Sequence, residues 1–248
     1  MQTDYNKILN REIYTDKILN FLKDFDENKN DLTKQRGLYL YGEPGTGKTK
    51  FICDLLKNNN YDAIYYDSSD IRNKGIVDLI TNDNMSNLNV YSMFTKQKKK
   101  IVIVMDDIDG MNNGDKGGIN SLIKIIRPKK TKKQKTEEIS INPIICIGNN
   151  HVDKKIKELV NVCFSLEINV PTDTQIKTIL NRTIDIKNYN INELVTFINK
   201  DLRKLHLILD TAKDTTISYE ILNILFSKSV ATDDMRNIVE MLLNKKHN

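Results

Sequence analysis

The stretch Gly42-Glu43-Pro44-Gly45-Thr46-Gly47-Lys48-Thr49 constrains this chain more than any other, because it matches G-x-x-x-x-G-K-[ST]. The glycines let the backbone turn so that successive N–H groups face inward on one point, where phosphates can be cradled. Lys48 is placed to reach the β- and γ-phosphates of a nucleoside triphosphate, and the Thr49 hydroxyl to ligate Mg²⁺. The pattern counts only between a strand and a helix. Residues 37–41 (GLYLY) read as a buried strand and 48–56 as a helix, so the context holds. Gly42, Glu43, Pro44, Gly45, Thr46, Gly47, Lys48 and Thr49 are therefore the candidate nucleotide-binding residues, with ATP and Mg²⁺ the expected ligands.

Such a loop needs a carboxylate at the end of a neighbouring strand to hold the metal. Residues 101–105 (IVIVM) are the clearest strand, four of five being β-branched, and Asp106 and Asp107 follow at once. Asp106 is placed to order the Mg²⁺ shell and Asp107 to polarise the attacking water as general base. The plainer alternative is that both merely end a strand at solvent.

The remaining apolar runs give the architecture. Strands are expected at 63–66, 144–148 and 163–168, alternating with helices at 71–80 and 118–126. Runs that are apolar throughout and separated by helices indicate a parallel sheet covered on both faces, an α/β fold. After Pro171 the pattern turns wholly helical, with helices expected at 172–184, 191–199, 202–213, 218–226 and 234–243. A boundary near residue 170 divides an α/β unit, 1–170, from a small all-α unit, 171–248.

Composition adds exclusions. Cys53, Cys146 and Cys163 are scattered and odd in number, which argues against a disulfide framework and against zinc. The polar N-terminus lacks a signal-peptide core, and no run approaches the ~18 apolar residues of a membrane helix, so a soluble, intracellular chain is expected. The net charge of +5 permits contact with nucleic acid without demanding it. Much of the excess sits in two lysine runs, 96–100 and 129–135. Residues 128–138 (PKKTKKQKTEE) read as a flexible surface insertion.

Several segments resemble AAA+ ATPases, and specifically the large subunit of replication factor C, a sliding-clamp loader. Met105-Asp106-Asp107-Ile108-Asp109-Gly110-Met111 resembles M-D-E-V-D-G-M, and residues 114–119 (GDKGGI) resemble G-x-D-R-G-G-I. Residues 143–149 (PIICIGN) resemble P-I-I-C-I-C-N, residues 69–74 (SDIRNK) resemble S-D-x-R-x-K, and residues 201–204 (DLRK) resemble D-I-R-K/Q. The resemblance implies an AAA+ P-loop parallel sheet followed by a helical lid. It implies that Asn149 orients the hydrolytic water or senses the γ-phosphate, and that Arg203 reaches from the lid to that phosphate. Lys48, Asp107, Asn149 and Arg203 are thus the expected catalytic set. Arg72 and Lys74 would contact the DNA backbone, independently of sequence and sensitive to salt. Residues 87–94 (NLNVYSMF) resemble a clamp-binding peptide, with Val90, Met93 and Phe94 either forming a hydrophobic plug or packing on the protein's own sheet.

Departures from the family qualify the picture. Asp107 stands where most AAA+ ATPases have Glu, one methylene shorter, which points to slow hydrolysis. Asn161-Val162-Cys163 replaces the Ser-Arg-Cys of small clamp-loader subunits, so no arginine finger is offered to a neighbour. Large subunits lack that arginine as well, and their own ATP depends on a partner's finger. A C-terminal collar and most of an adenine-gripping N-terminal segment are expected to be missing. The implied function is ATP-dependent loading of a sliding clamp, with small clamp-loader subunits and primer–template DNA as partners. The alternatives are a non-hydrolysing ATP-bound scaffold and another AAA+ role such as helicase loading.

Overall fold

In the computed structural model, residues 5–67, 100–113, 118–137, 139–149, 154–183 and 191–213 are described. A short helical turn α1 (Tyr5–Ile8) and a long helix α2 (Glu12–Glu27) precede β1 (Gly37–Tyr41). Then come α3 (Lys48–Asn58), β2 (Tyr61–Tyr66), β3 (Lys100–Met105) and a 3-10 turn, Ile108–Asn113. The α/β part closes with α4 (Gly118–Ile126), α5 (Lys132–Lys135), β4 (Ile144–Ile147), α6 (Lys154–Val162) and β5 (Phe164–Glu167). Three helices follow: α7 (Asp173–Thr183), α8 (Ile191–Ile198) and α9 (Leu202–Lys213).

The five strands form one sheet in the order β2-β3-β4-β1-β5, and every pairing is parallel. Alternation along each strand divides the core in two, because successive side chains point to opposite faces. Leu38, Leu40, Val104, Ile145 and Ile147 pack under Ile18, Phe21 and Leu22 of α2 and Phe51 and Ile52 of α3. Tyr39, Ile103, Met105, Ile144 and Cys146 pack under Ile119, Leu122 and Ile126 of α4 and Ile156 and Leu159 of α6. With both faces covered, these strands have no polar side, which is why they are apolar throughout.

Helices α7 to α9 bury a third apolar cluster of their own, including Ile179, Leu180, Ile198, Leu202 and Leu209. Tyr5, Ile8 and Leu9, from the start of the chain, pack against it. The helical region opens on a capping box. The Thr172 hydroxyl accepts from the Gln175 N–H at 3.3 Å, while the Gln175 side chain accepts from the Thr172 N–H at 2.8 Å. No helix among the described residues is long and apolar enough to cross a membrane. The expected helices at 71–80, 218–226 and 234–243 lie outside the described residues.

One expectation is corrected in part. The lysine-rich stretch after α4 lies at the surface, as its composition suggests, but it is tied down rather than free. Lys129 is fully buried, its ammonium 3.1 Å from a Glu137 carboxylate oxygen and hydrogen-bonded to the Lys124 carbonyl. Arg127 takes both carboxylate oxygens of the same Glu137, and the Lys129 N–H donates to the Leu32 carbonyl at 2.7 Å. At the far end, buried Arg36 donates to the Ser140 carbonyl at 2.7 Å. Burying one lysine next to one shared carboxylate orders the segment, where a run of solvated lysines would not.

This clamp carries a pH signature. Hydrogen bonds from Arg127 and Lys129 pull the Glu137 carboxyl down from its ordinary 4.5 to about 2. A depressed carboxylate stabilises the fold fully above its unfolded pKa, and that contribution fades as pH falls through the folded value. Between pH 4.5 and about 2, the urea midpoint of the native chain therefore falls further than that of Glu137→Gln, which carries no such group. Parallel declines in the two proteins would show that the clamp does not hold in solution.

Candidate nucleotide site

The loop of residues 42–47 leaves β1 at its carboxyl end, between the exits of β4 and β5. Gly42, Gly45 and Gly47 all take positive φ, 154°, 82° and 73°, which L side chains rarely adopt, so the backbone there is shaped by its glycines. The loop then feeds straight into the N-terminus of α3, whose free N–H groups and dipole favour an anion.

Lys48 is buried. Its ammonium donates to the Gly42 carbonyl at 2.8 Å, the Glu43 carbonyl at 2.9 Å and the Asn149 side-chain oxygen at 3.1 Å. Burial lowers its pKa, while the charges of Asp106 and Asp109 work the other way. The Thr49 hydroxyl donates to an Asp106 carboxylate oxygen at 2.7 Å. The other Asp106 oxygen accepts from the Asp107 N–H at 2.9 Å. Asp107 itself turns the chain out of β3 with φ of 52°, a left-handed conformation that Asp tolerates better than most residues.

Lys48, Thr49, Asp106, Asp107, Asn149 and Arg203 all line one cavity of about 500 Å³, together with Gly45 and Gly47. Arg203 comes from α9 and is largely exposed, with its Nε 3.8 Å from Asp201. Asp201 caps that helix by accepting from the Arg203 N–H at 2.8 Å. The preceding N–H, of Leu202, donates to the Gly45 carbonyl at 2.8 Å, so the helix start rests on the phosphate loop. A second cavity of about 630 Å³ shares Gly47, Lys50 and Arg203 with the first and continues along α3 towards Tyr5 and His206.

Three residues near the site went without a role in the sequence. Arg11 is buried, donates to the Thr46 carbonyl and lies 5.2 Å above the Phe51 ring. Burial brings its pKa down to about 10. Nothing in sequence marks it, since it precedes its partner Thr46 by 35 positions. Asp109 accepts from the Asn149 N–H and so fixes the backbone of that residue. It stands within the M-D-D-I-D-G-M segment, which was a signal available but unused. Tyr39, fully buried, has its hydroxyl 3.5 Å from the Asn149 carbonyl, and burial followed by the Asp109 charge raises its pKa. Gly148 makes room for that hydroxyl, because a Cβ there would overlap it.

Arg72, Lys74, Val90, Met93 and Phe94 lie outside the described residues.

The residues present fit a triphosphate with a divalent ion. A buried ammonium bonded only to neutral oxygens can turn to phosphate oxygens. A hydroxyl paired with a carboxylate supplies two hard oxygen donors of the kind Mg²⁺ takes. Among the described residues there is no cluster of three or more His, Cys, Asp or Glu that could cage a metal. A site of two protein oxygens suits an ion that completes its shell with water and phosphate.

A parallel sheet with such a loop after its first strand defines a P-loop nucleotide-binding protein. The family model "ATPase family associated with various cellular activities (AAA)" matches residues 38–172, and the chain belongs to that family. It is similar to replication factor C subunit 1 of Drosophila melanogaster, 30% identical over 209 residues, which are 79% of this chain and 20% of that protein. It is similar to replication factor C subunit 1 of Saccharomyces cerevisiae, 27% identical over 231 residues, covering 84% of this chain and 25% of the relative. The replication factor C large subunit of Methanococcus aeolicus is 27% identical over 192 residues, 76% of this chain and 36% of its own length. The chain thus spans only a fifth to a third or so of these curated relatives.

Proposed function

We propose that this chain is an ATP-hydrolysing subunit of a sliding-clamp loader, of the replication factor C large-subunit kind. The observation that carries the reading is the convergence of Lys48, Thr49, Asp106, Asp107, Asn149 and Arg203 on one cavity at the carboxyl end of the sheet. Likeness to replication factor C subunits supports the particular role. In this reading residues 171–248 form the lid over an ATPase domain of residues 1–170.

The loop amides and Lys48 bind and orient the phosphates. Thr49 and Asp106 would hold Mg²⁺, which when bound neutralises charge on the phosphates. Asn149, fixed through its N–H by Asp109, positions a water within reach of Asp107, and the Asp107 carboxylate accepts the proton of that water. Arg203 brings a positive charge from α9 to the cavity and reports whether the terminal phosphate is present. Val162 offers no arginine to a neighbour, as in large subunits, and by that resemblance hydrolysis here would rely on a partner's arginine. Arg72 and Lys74 would meet the DNA backbone, and Val90, Met93 and Phe94 the clamp.

A second reading is favoured by one observation, the short Asp107 in place of the usual Glu: an ATP-bound scaffold that does not turn over. One assay separates the two. ATPase activity is measured on the chain alone, then with its organism's sliding clamp, small clamp-loader subunits and primed DNA. The clamp-loader reading expects negligible activity alone, a rise in the full mixture, and loss of that rise in Asp107→Ala. A rise untouched by Asp107→Ala would place catalysis in the partners and leave the scaffold. Full activity alone, indifferent to clamp and DNA, would mean a self-sufficient motor instead.

A further inference from the structure

The tied-down segment after α4 presents charge in a fixed arrangement. Thr131 and Gln134 form a capping box around α5. The Gln134 N–H donates to the Thr131 hydroxyl at 3.2 Å, and the Gln134 side chain accepts from the Lys130 and Thr131 N–H groups at 3.0 Å each. Below this turn, Glu137 is fully engaged by Arg127 and Lys129. The side chains of Lys130, Lys132, Lys133 and Lys135 are exposed, and among the described residues none of the four ammonium groups has a carboxylate partner. Glu138 lies outside the described residues.

Placement separates this patch from the nucleotide cavity. The segment enters β4 at its amino end, while the phosphate loop, Asp106 and Asn149 follow the carboxyl ends of β1, β3 and β4. In a parallel sheet those are opposite ends of the strands.

We propose that Lys130, Lys132, Lys133 and Lys135 form a docking surface for the phosphate backbone of duplex nucleic acid, distinct from the nucleotide site. The chemistry of the turn selects the occupant. Residues 130–136 (KTKKQKT) contain no apolar side chain. The turn therefore has no anchor for a bilayer and no pocket-filling group for a folded partner. What it offers is point charges, and lysine ammoniums contact phosphates without reading sequence. Such contacts gain most from a polyanion of high linear charge density, whose condensed counterions they release. The buried Lys129 clamp holds the four charges together on one turn, so that they act as a unit. The inference stands on this charge geometry and does not require the clamp-loader reading.

The test compares two variants of the full chain without nucleotide or clamp. One combines Lys130→Gln, Lys132→Gln, Lys133→Gln and Lys135→Gln. The other removes the same charge from scattered exposed sites, as Lys17→Gln, Lys23→Gln, Lys154→Gln and Lys157→Gln. Anisotropy of a fluorescein-labelled duplex of about 30 base pairs is read across a salt series, with circular dichroism confirming that both variants are folded. The patch variant is expected to bind on the order of 10- to 100-fold more weakly at about 0.1 M salt, with the log–log salt slope shallower by roughly 3 to 4. The scattered variant is expected to lose much less and to keep most of the slope. Equal losses in the two variants would overturn the proposal, since net charge alone would then account for binding. So would unchanged duplex binding by the patch variant accompanied by lost binding to phosphatidylserine vesicles. Because no ATP or clamp enters the assay, a negative result leaves the ATPase experiment to decide its own question.

Discussion

Lys48→Ala lowers the affinity of this chain for ATP with Mg²⁺ by about 100-fold or more, while leaving the fold intact. The native ammonium is buried at the mouth of the phosphate loop and bonded to three neutral oxygens, from Gly42, Glu43 and Asn149. It has already lost much of its hydration, so a phosphate that replaces those partners gains a charge-assisted bond without desolvating the lysine afresh. Losing one such bond in a half-enclosed site costs about 3 kcal/mol, which corresponds to roughly 100-fold in affinity. Glu43 is exposed and its freed carbonyl can take water, whereas the Gly42 carbonyl is buried and loses its partner, so a stability cost of about 1 to 3 kcal/mol accompanies the lost affinity. Isothermal titration with ATP, beside a urea melt, measures both quantities. Affinity within threefold of the native chain would remove Lys48 from the site.

Gly42→Ala is expected to be the most destabilising single methyl in the loop. With φ of 154° the backbone at this position sits where a side chain is strained, and the new Cβ would stand 2.5 Å from the Ile168 carbonyl oxygen. That oxygen is main chain, and Ile168 is pinned because its N–H donates to the Tyr41 carbonyl at 2.7 Å. No side-chain rotation relieves the clash, so β1 and the exit of β5 must part. Overpacking together with backbone strain costs roughly 2 to 4 kcal/mol. The urea midpoint should fall by about 1 to 2 M with an unchanged slope. An unchanged midpoint would mean that the edge pairing of β5 beyond Glu167 is already loose in solution.

How much of this was legible beforehand depended on whether the signal was local. Residues 37–41, 118–126 and 202–213 match their elements to the residue. In each of these stretches, apolar periodicity and flanking glycine or Asp act within a few positions of the element they define. The helix read as starting at 172 starts at Asp173 because Thr172 is its cap, a one-residue matter of who donates to whom. Lys48, Thr49, Asp106, Asp107 and Asn149 were found because motif and strand end place them, and the sheet order then brings those strand ends together. Arg203 lines the same cavity although it follows Asn149 by more than fifty positions, a placement that resemblance suggested and spacing alone could not.

What was misread rests on distant partners. Composition marks residues 128–138 as solvated, but the Leu32 carbonyl holds the Lys129 N–H, Lys124 of α4 holds its ammonium and Arg127 holds Glu137, with Arg36 fixing Ser140 just beyond. A buried lysine is rare enough that no pattern suggests one before its pocket is known. Arg11 is similar: its partners are a carbonyl and an aromatic face, neither of which leaves a trace at position 11.

The bond from the Leu202 N–H to the Gly45 carbonyl has a consequence for how such a chain can change over generations. It joins the floor of the phosphate cavity to the helical cluster through peptide groups alone. A connection made by two side chains is lost when either is replaced, whereas this one is indifferent to nearly every substitution at position 202. Only proline there, or a bulkier residue at Gly45 pressing on Asp201, removes it. Most side-chain replacements on the helical cluster would therefore leave this main-chain link between the phosphate loop and α9 in place.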